Sequence, residues 1–170
     1  MLRARSFPPI ENAGARVLIL GSMPGGASLA AGQYYAHPQN LFWPILGDLL
    51  GAKPGLSYAA RTRLLKVNGI ALWDVLESCV REGSLDSAIE EATIAVNDFA
   101  SFYGTHSRIE RVFFNGAKAQ ASYRRYVIPA LGTGSPPVEY LRLPSTSPAH
   151  AALSFGKKRK AWQAVLESGR

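Results

Sequence analysis

Apolar positions fall into two patterns along this chain. The first is the short, nearly unbroken run, seen at Val17 to Leu20, Gly69 to Trp73, Arg111 to Phe114 and Tyr140 to Leu143. Runs of this length read as strands, and strands apolar at successive positions are covered on both faces, as in a parallel sheet. The second pattern repeats at helical spacing. Leu41, Phe42, Ile45, Leu46, Leu49 and Leu50 mark one helix, with Asn40 as a plausible N-cap and Pro44 tolerated in its first turn. Further helices are expected over Ser57 to Lys66, Ala117 to Tyr126 and Lys157 to Glu167. Ser84 to Tyr103 also reads as helical, with a break near Asn97-Asp98. The segment after Trp73 is polar and is given no element.

Strands alternating with helices imply an α/β fold. The expected architecture is a three-layer α/β/α sandwich around a central four-stranded, mostly parallel sheet. With 170 residues and no linker or repeat, residues 1–170 are expected to form one domain. In such sheets the working surface lies at the carboxyl ends of the strands. Three chemically distinctive loops start there, after Leu20, Trp73 and Leu143. The first, Gly21-Ser22-Met23-Pro24-Gly25-Gly26, is too rich in Gly and Pro for helix or ladder.

Composition narrows the partners. Apolar residues make up 47% and charged residues 18%, an ordinary globular balance. The formal charge of +7 suits a partner that carries phosphates. The single cysteine, Cys79, follows an apolar run and is expected to be a buried thiol. His37, His106 and His150 lie far apart, so no metal site and no cofactor are expected. Met1 to Pro9 lacks the apolar stretch of a signal peptide, and no segment has the length of a membrane span. A cytoplasmic protein, with no membrane partner, is the default expectation.

Gly21-Ser22-Met23-Pro24-Gly25 resembles the Gly-x-x-Pro first motif of the uracil-DNA glycosylase superfamily. Tyr34-Tyr35-Ala36-His37-Pro38-Gln39-Asn40-Leu41-Phe42-Trp43 looks like the aromatic, Pro, Asn, Phe-Trp stretch of its mismatch-specific members, and still more like their hypoxanthine-DNA glycosylase relatives. Leu143 to His150 (Leu-Pro-Ser-Thr-Ser-Pro-Ala-His) resembles the second motif, a loop that grips the DNA backbone and the vacated base position. With Gly69 to Asp74 and Phe113 to Ala117, the likeness spans nearly the whole chain. In mismatch-specific members the third residue of the first motif is an Asn that positions the attacking water. Here it is Met23, whose thioether cannot hold a water. In hypoxanthine-type relatives the catalytic Asn ends the aromatic-His-Pro-x-Asn run, which is Asn40 here.

The resemblance implies a monofunctional DNA glycosylase acting in base excision repair on double-stranded DNA that contains a damaged or mismatched base. It would flip out a deaminated base, hypoxanthine first, and hydrolyse its glycosidic bond. A glycosylase for uracil in G:U mismatches and a non-catalytic DNA-binding member are the alternatives, and a monomer is expected. Such hydrolysis needs a water held beneath the sugar and donors aimed at the departing base, which must leave the stack.

Asn40 is the expected catalytic residue, because an amide both accepts and donates; a plain helix cap is the structural alternative. Tyr35 would stack on the flipped base, with Tyr34 buried and Phe42 and Trp43 in the core. Asp74 occupies a position where several superfamily members read the base with an Asn. A carboxylate there could accept from N1–H of hypoxanthine and would repel the bare N1 of adenine; a helix cap is as good a reading. Ser22, Met23 and Ser145 complete the expected base-binding set. Gly25, Ser147, Pro148, Ala149 and His150 are the expected DNA contacts. Ala149 falls where a bulky wedge is common, and His150 could fill that gap. Lys157 to Lys160 form a basic run that either tracks phosphates or is a solvated helix face.

Overall fold

The structure, a computed structural model, describes residues 2–167. In chain order its main elements are β1 (Arg3–Arg5), β2 (Val17–Gly21), α1 (Gly26–Ala31), α2 (Phe42–Leu49), α3 (Tyr58–Val67), β3 (Ile70–Asp74), β4 (Leu76–Val80), β5 (Ala95–Val96), α4 (Phe99–Thr105), β6 (Arg111–Asn115), α5 (Ala117–Ser122), α6 (Ile128–Leu131), β7 (Glu139–Leu143) and α7 (Phe155–Trp162). A π-helical segment over Tyr123–Val127 joins α5 to α6.

The central sheet has strand order β3-β2-β6-β7 and is parallel throughout. Its side chains sort by parity, as the two-residue period of a strand requires. Leu18, Leu20, Ala71, Trp73, Val112 and Phe114 enter one core with Phe99, Phe102 and Tyr103 of α4 and Tyr123 of the π-helical segment. Ile19, Ile70, Leu72 and Phe113 enter the other, with Phe42, Ile45 and Leu46 of α2, Leu65 of α3 and Trp162 of α7. Both faces are therefore covered, giving the three-layer α/β/α sandwich, with all four strands ending on the same side.

Three segments differ from the sequence pattern. Ser84 to Tyr103 is mostly not helical: it holds 3-10 turns at Asp86–Ala88 and Glu91–Thr93, then β5, and only α4 is a regular helix. The expected break at Asn97-Asp98 is where α4 starts, with Asp98 Oδ1 accepting from Ser101 N at 3.1 Å. The polar segment after Trp73 is β4. It pairs antiparallel with β1 and β5 in a separate three-stranded sheet, and that pairing overrides local propensity. The Gly-rich loop ends at Gly25, the cap of a short helix that begins at Gly26. The last helix starts at Phe155, capped by Ser154, and tightens into a 3-10 turn over Gln163–Leu166. No helix of the described residues is long and apolar enough to cross a membrane.

Candidate active site

The carboxyl ends of β2, β3, β6 and β7 open into one cleft of about 880 Å³. Ser22, Met23, Gly25, Tyr35, Asn40, Asp74, Ser145 and the stretch Ser147 to His150 all line it, so the expected catalytic, base-binding and DNA-contact residues meet there, while the basic run Lys157 to Lys160 does not reach it.

Asn40 is half-buried at the cleft. Its Oδ1 accepts from Phe42 N at 2.9 Å, the bond that starts α2, although the helix cap position itself is Leu41. Asn40 thus stands one residue before the cap position expected of it, bonded to the first N–H of the helix. The bond uses one lone pair of Oδ1. The other lone pair and the two Nδ2 hydrogens remain for a second task.

Tyr35 takes φ = +53°, the one positive φ recorded for a residue other than glycine among the described residues. Its ring stacks on Phe42, with centroids 4.2 Å apart and planes 25° apart, and the residue lines the cleft. Tyr34 is buried, as expected. Its hydroxyl donates to the Pro8 carbonyl at 2.8 Å, and its own carbonyl accepts from the Trp43 indole at 2.7 Å. Phe42 and Trp43 are core residues.

Asn115 ties these parts together, and sequence reasoning passed over it as the end of a strand. Its Nδ2 donates to the Tyr35 hydroxyl at 3.1 Å and to Thr146 Oγ1 at 3.0 Å, while its Oδ1 accepts from Thr146 N at 3.0 Å. Thr146 is fully buried, and its carbonyl accepts from Leu41 N at 3.0 Å. One asparagine therefore fixes the stacking tyrosine, the Ser-Thr-Ser-Pro loop and, through Leu41, the segment that carries Asn40. An Asn-Gly pair after a strand reads as a turn, so the sequence carried no signal of this role.

The Ser-Thr-Ser-Pro loop is folded on itself. Ser145 Oγ accepts from Ser147 N and Ser147 Oγ accepts from Ala149 N, each at 3.2 Å, which is the turn reading of these serines. Pro148, Ala149 and His150 are exposed at its tip. Lys158 of α7 is buried, and its ammonium donates to the His150 carbonyl at 2.5 Å. Burial lowers its pKa from the ordinary lysine value. Of the basic run, Arg159 pairs with Asp48, while Lys157 and Lys160 are exposed.

Across the cleft, Ser22 Oγ donates to Asp86 Oδ1 at 2.6 Å, and Gly26 N donates to Ser84 Oγ at 2.9 Å. Met23 lines the cleft but is largely buried in a small apolar cluster with Leu76, Cys79 and Ile89, which also buries the lone thiol. Asp74 is 3% exposed. Burial, reinforced by Asp86 and opposed by Arg81, pushes its carboxyl up to about 7. Gly21 must be glycine at this point: a Cβ there would lie 2.5 Å from Asp74 Oδ1 and 2.7 Å from the Tyr35 hydroxyl.

A cleft of this size admits a nucleotide turned out of a duplex. On this sheet, with these loops around it, the enzyme class is a DNA glycosylase. The sequence model of the Uracil DNA glycosylase superfamily matches residues 8–166, and the chain belongs to that superfamily. It is similar to the Hypoxanthine DNA glycosylase of Methanosarcina acetivorans, 36% identical over 164 residues that cover 95% of this chain and 97% of that protein. The Hypoxanthine DNA glycosylase of Methanosarcina barkeri is 38% identical over 119 residues, 69% of this chain and 74% of that protein. A solution NMR structure from Methanosarcina acetivorans, described as a candidate uracil DNA glycosylase, superposes with a TM-score of 0.77 at 32% identity, covering 98% of this chain and all of that one.

Proposed function

We propose that the chain excises hypoxanthine from double-stranded DNA as a single glycosylase domain, working as a monomer. The observation that carries this reading is the contrast between positions 23 and 40. Met23 offers the cleft an apolar side chain held in a hydrophobic cluster, and Asn40 offers it an amide with unused donors and a free lone pair. Asn40 therefore holds the water that attacks C1′ as the bond to the base breaks. Tyr35 stacks on the flipped base, a contact worth about 1–3 kcal/mol. Asp74, with Ser22, Met23 and Ser145, faces the base. Gly25, Ser147, Pro148, Ala149 and His150 take the DNA strand around it, with His150 beside a side chain at 149 too small to fill an emptied stack. The names of the two Methanosarcina relatives favour the same base.

The test is a base-release panel on duplexes that carry hypoxanthine, uracil, xanthine or a mismatched thymine. Hypoxanthine is expected to leave fastest, giving an alkali-labile abasic site. Asn40→Ala should lower that rate at least about 100-fold, the usual loss for a preorganised polar group. Asn40→Ser, whose hydroxyl can still cap Phe42 N, should be equally slow and keep the melting temperature. Intact strands after alkali with every base would refute the assignment, and faster release of uracil would move it to the base that describes the NMR neighbour.

A further inference from the structure

The carboxyl of Asp74 is buried without the partners that normally stabilise an anion. Its Oδ2 has no hydrogen-bond partner among the described residues. The neighbouring amide of Asn97 donates to the backbone carbonyl of Asp74, at 2.8 Å, rather than to the carboxyl. Arg81, at the end of β4, is the cation that opposes the shift, but its guanidinium is directed at the carbonyls of Gly83 (2.9 Å) and Pro24 (2.6 Å). From the 3-10 turn comes a like charge, Asp86. From the loop before α2 come Tyr34 and Tyr35, whose hydroxyls burial and the charge of Asp74 hold neutral. From β6 comes Asn115, whose amide is committed to Tyr35 and Thr146. An ionised carboxyl in this setting is costly, and the neutral acid is the form the site favours.

The two forms offer a base different things. A carboxylate only accepts, whereas a carboxylic acid has one donor and one acceptor side by side. The edge of hypoxanthine has the complementary pair, an N1–H donor next to the O6 acceptor. A carboxylate would answer N1–H and leave O6 facing a negative charge. The mismatch would worsen as the departing base gains charge in the transition state.

We propose that Asp74 reads hypoxanthine as a neutral carboxylic acid, its carbonyl accepting from N1–H and its hydroxyl donating to O6, so that ionisation of Asp74 turns excision off. The proposal rests on the reading of this cleft as a hypoxanthine glycosylase site. It replaces the simpler expectation of a carboxylate that only accepts. Its consequence is a rate that falls with rising pH, since the working form is the protonated one.

The experiment measures hypoxanthine release from an inosine duplex under enzyme excess, from about pH 5.5 to about pH 9, for the unaltered protein and for Asp74→Asn. The amide of Asn is isosteric with the neutral acid and keeps donor and acceptor at every pH. The unaltered protein should slow through about pH 7, approaching about a tenfold loss per pH unit. Asp74→Asn should lack that fall and overtake the unaltered protein above about pH 8. His37 and His150 also line the cleft and are present in both proteins, so a fall shared by both belongs elsewhere and overturns the proposal. A rate that rises through the same range overturns it too, by making the carboxylate the working form. A rising slope is read on the unaltered protein alone, so the proposal stays refutable even if the variant does not fold. Absence of hypoxanthine release at every pH removes the hypoxanthine reading itself, a result distinct from release with the wrong slope.

Discussion

The two walls of the cleft are built on opposite principles. On the wall of β6 and the Ser-Thr-Ser-Pro loop, polar groups are matched: Asn115 makes three bonds, Thr146 three, and Tyr35 is held at ring and hydroxyl. On the wall of β3, Asp74 Oδ2 is buried with no partner among the described residues. A buried orphan costs about 1–3 kcal/mol, and a fold retains one where a ligand or an ordered water supplies the missing bond. The matched wall is framework and holds its shape in the free protein. The unmatched wall leaves a carboxyl oxygen unpaired at a residue that lines the cleft.

The largest effect should come from breaking the matched wall. Asn115→Ala leaves the Thr146 amide and hydroxyl and the Tyr35 hydroxyl without their bonds, at a cost of about 3 kcal/mol or more in unfolding free energy. Denaturant unfolding measures it. A loss below about 1 kcal/mol would mean that this wall is not a framework.

Next, Gly21→Ala strikes between the walls. Its Cβ must displace Asp74 or Tyr35, and neither yields easily, because one is buried and the other is stacked and hydrogen-bonded. Single-turnover hypoxanthine release should fall about 100-fold, the cost of misplacing reacting groups by about 1 Å. An active Gly21→Ala would show that Asp74 and Tyr35 do not have to meet at this point.

The smallest effect concerns the unmatched wall alone. The folded protein raises the Asp74 pKa from 3.8 to about 7, so Asp74 favours folding only while protonated. Its contribution is fully present below the unfolded value and is lost as pH rises through about 7. Asp74→Asn should therefore stabilise the protein by about 1–2 kcal/mol at pH 8 and change little at pH 4, as read from thermal melts. A variant equally destabilised at both values would place Asp74 on the framework side.

The sequence made the framework of strands legible because the runs at Val17 to Leu20 and Val112 to Phe114 are apolar on both parities, a pattern that only a sheet covered on both faces accounts for. It misled at Ser84 to Tyr103, where β5 forms by pairing back onto β4 across the intervening turns, information no local window contains. The cleft residues were legible through the likeness of three loops. What was not legible was coupling. Nothing in Asn115-Gly116 announces that its amide spans from Tyr35 to Thr146, and nothing in Trp73-Asp74 reveals that the carboxyl has been left without donors. Both are facts about neighbours brought together by folding.

Tyr35 sets backbone comfort against side-chain identity. A designer asked only for an unstrained backbone would place glycine or asparagine at φ = +53°, since other residues pay about 1 kcal/mol there. The chain instead keeps a large aromatic, whose ring and hydroxyl are both in use. Where backbone comfort and side-chain identity disagree in this way, the disagreement itself marks a working position, legible from one sequence and one set of torsion angles.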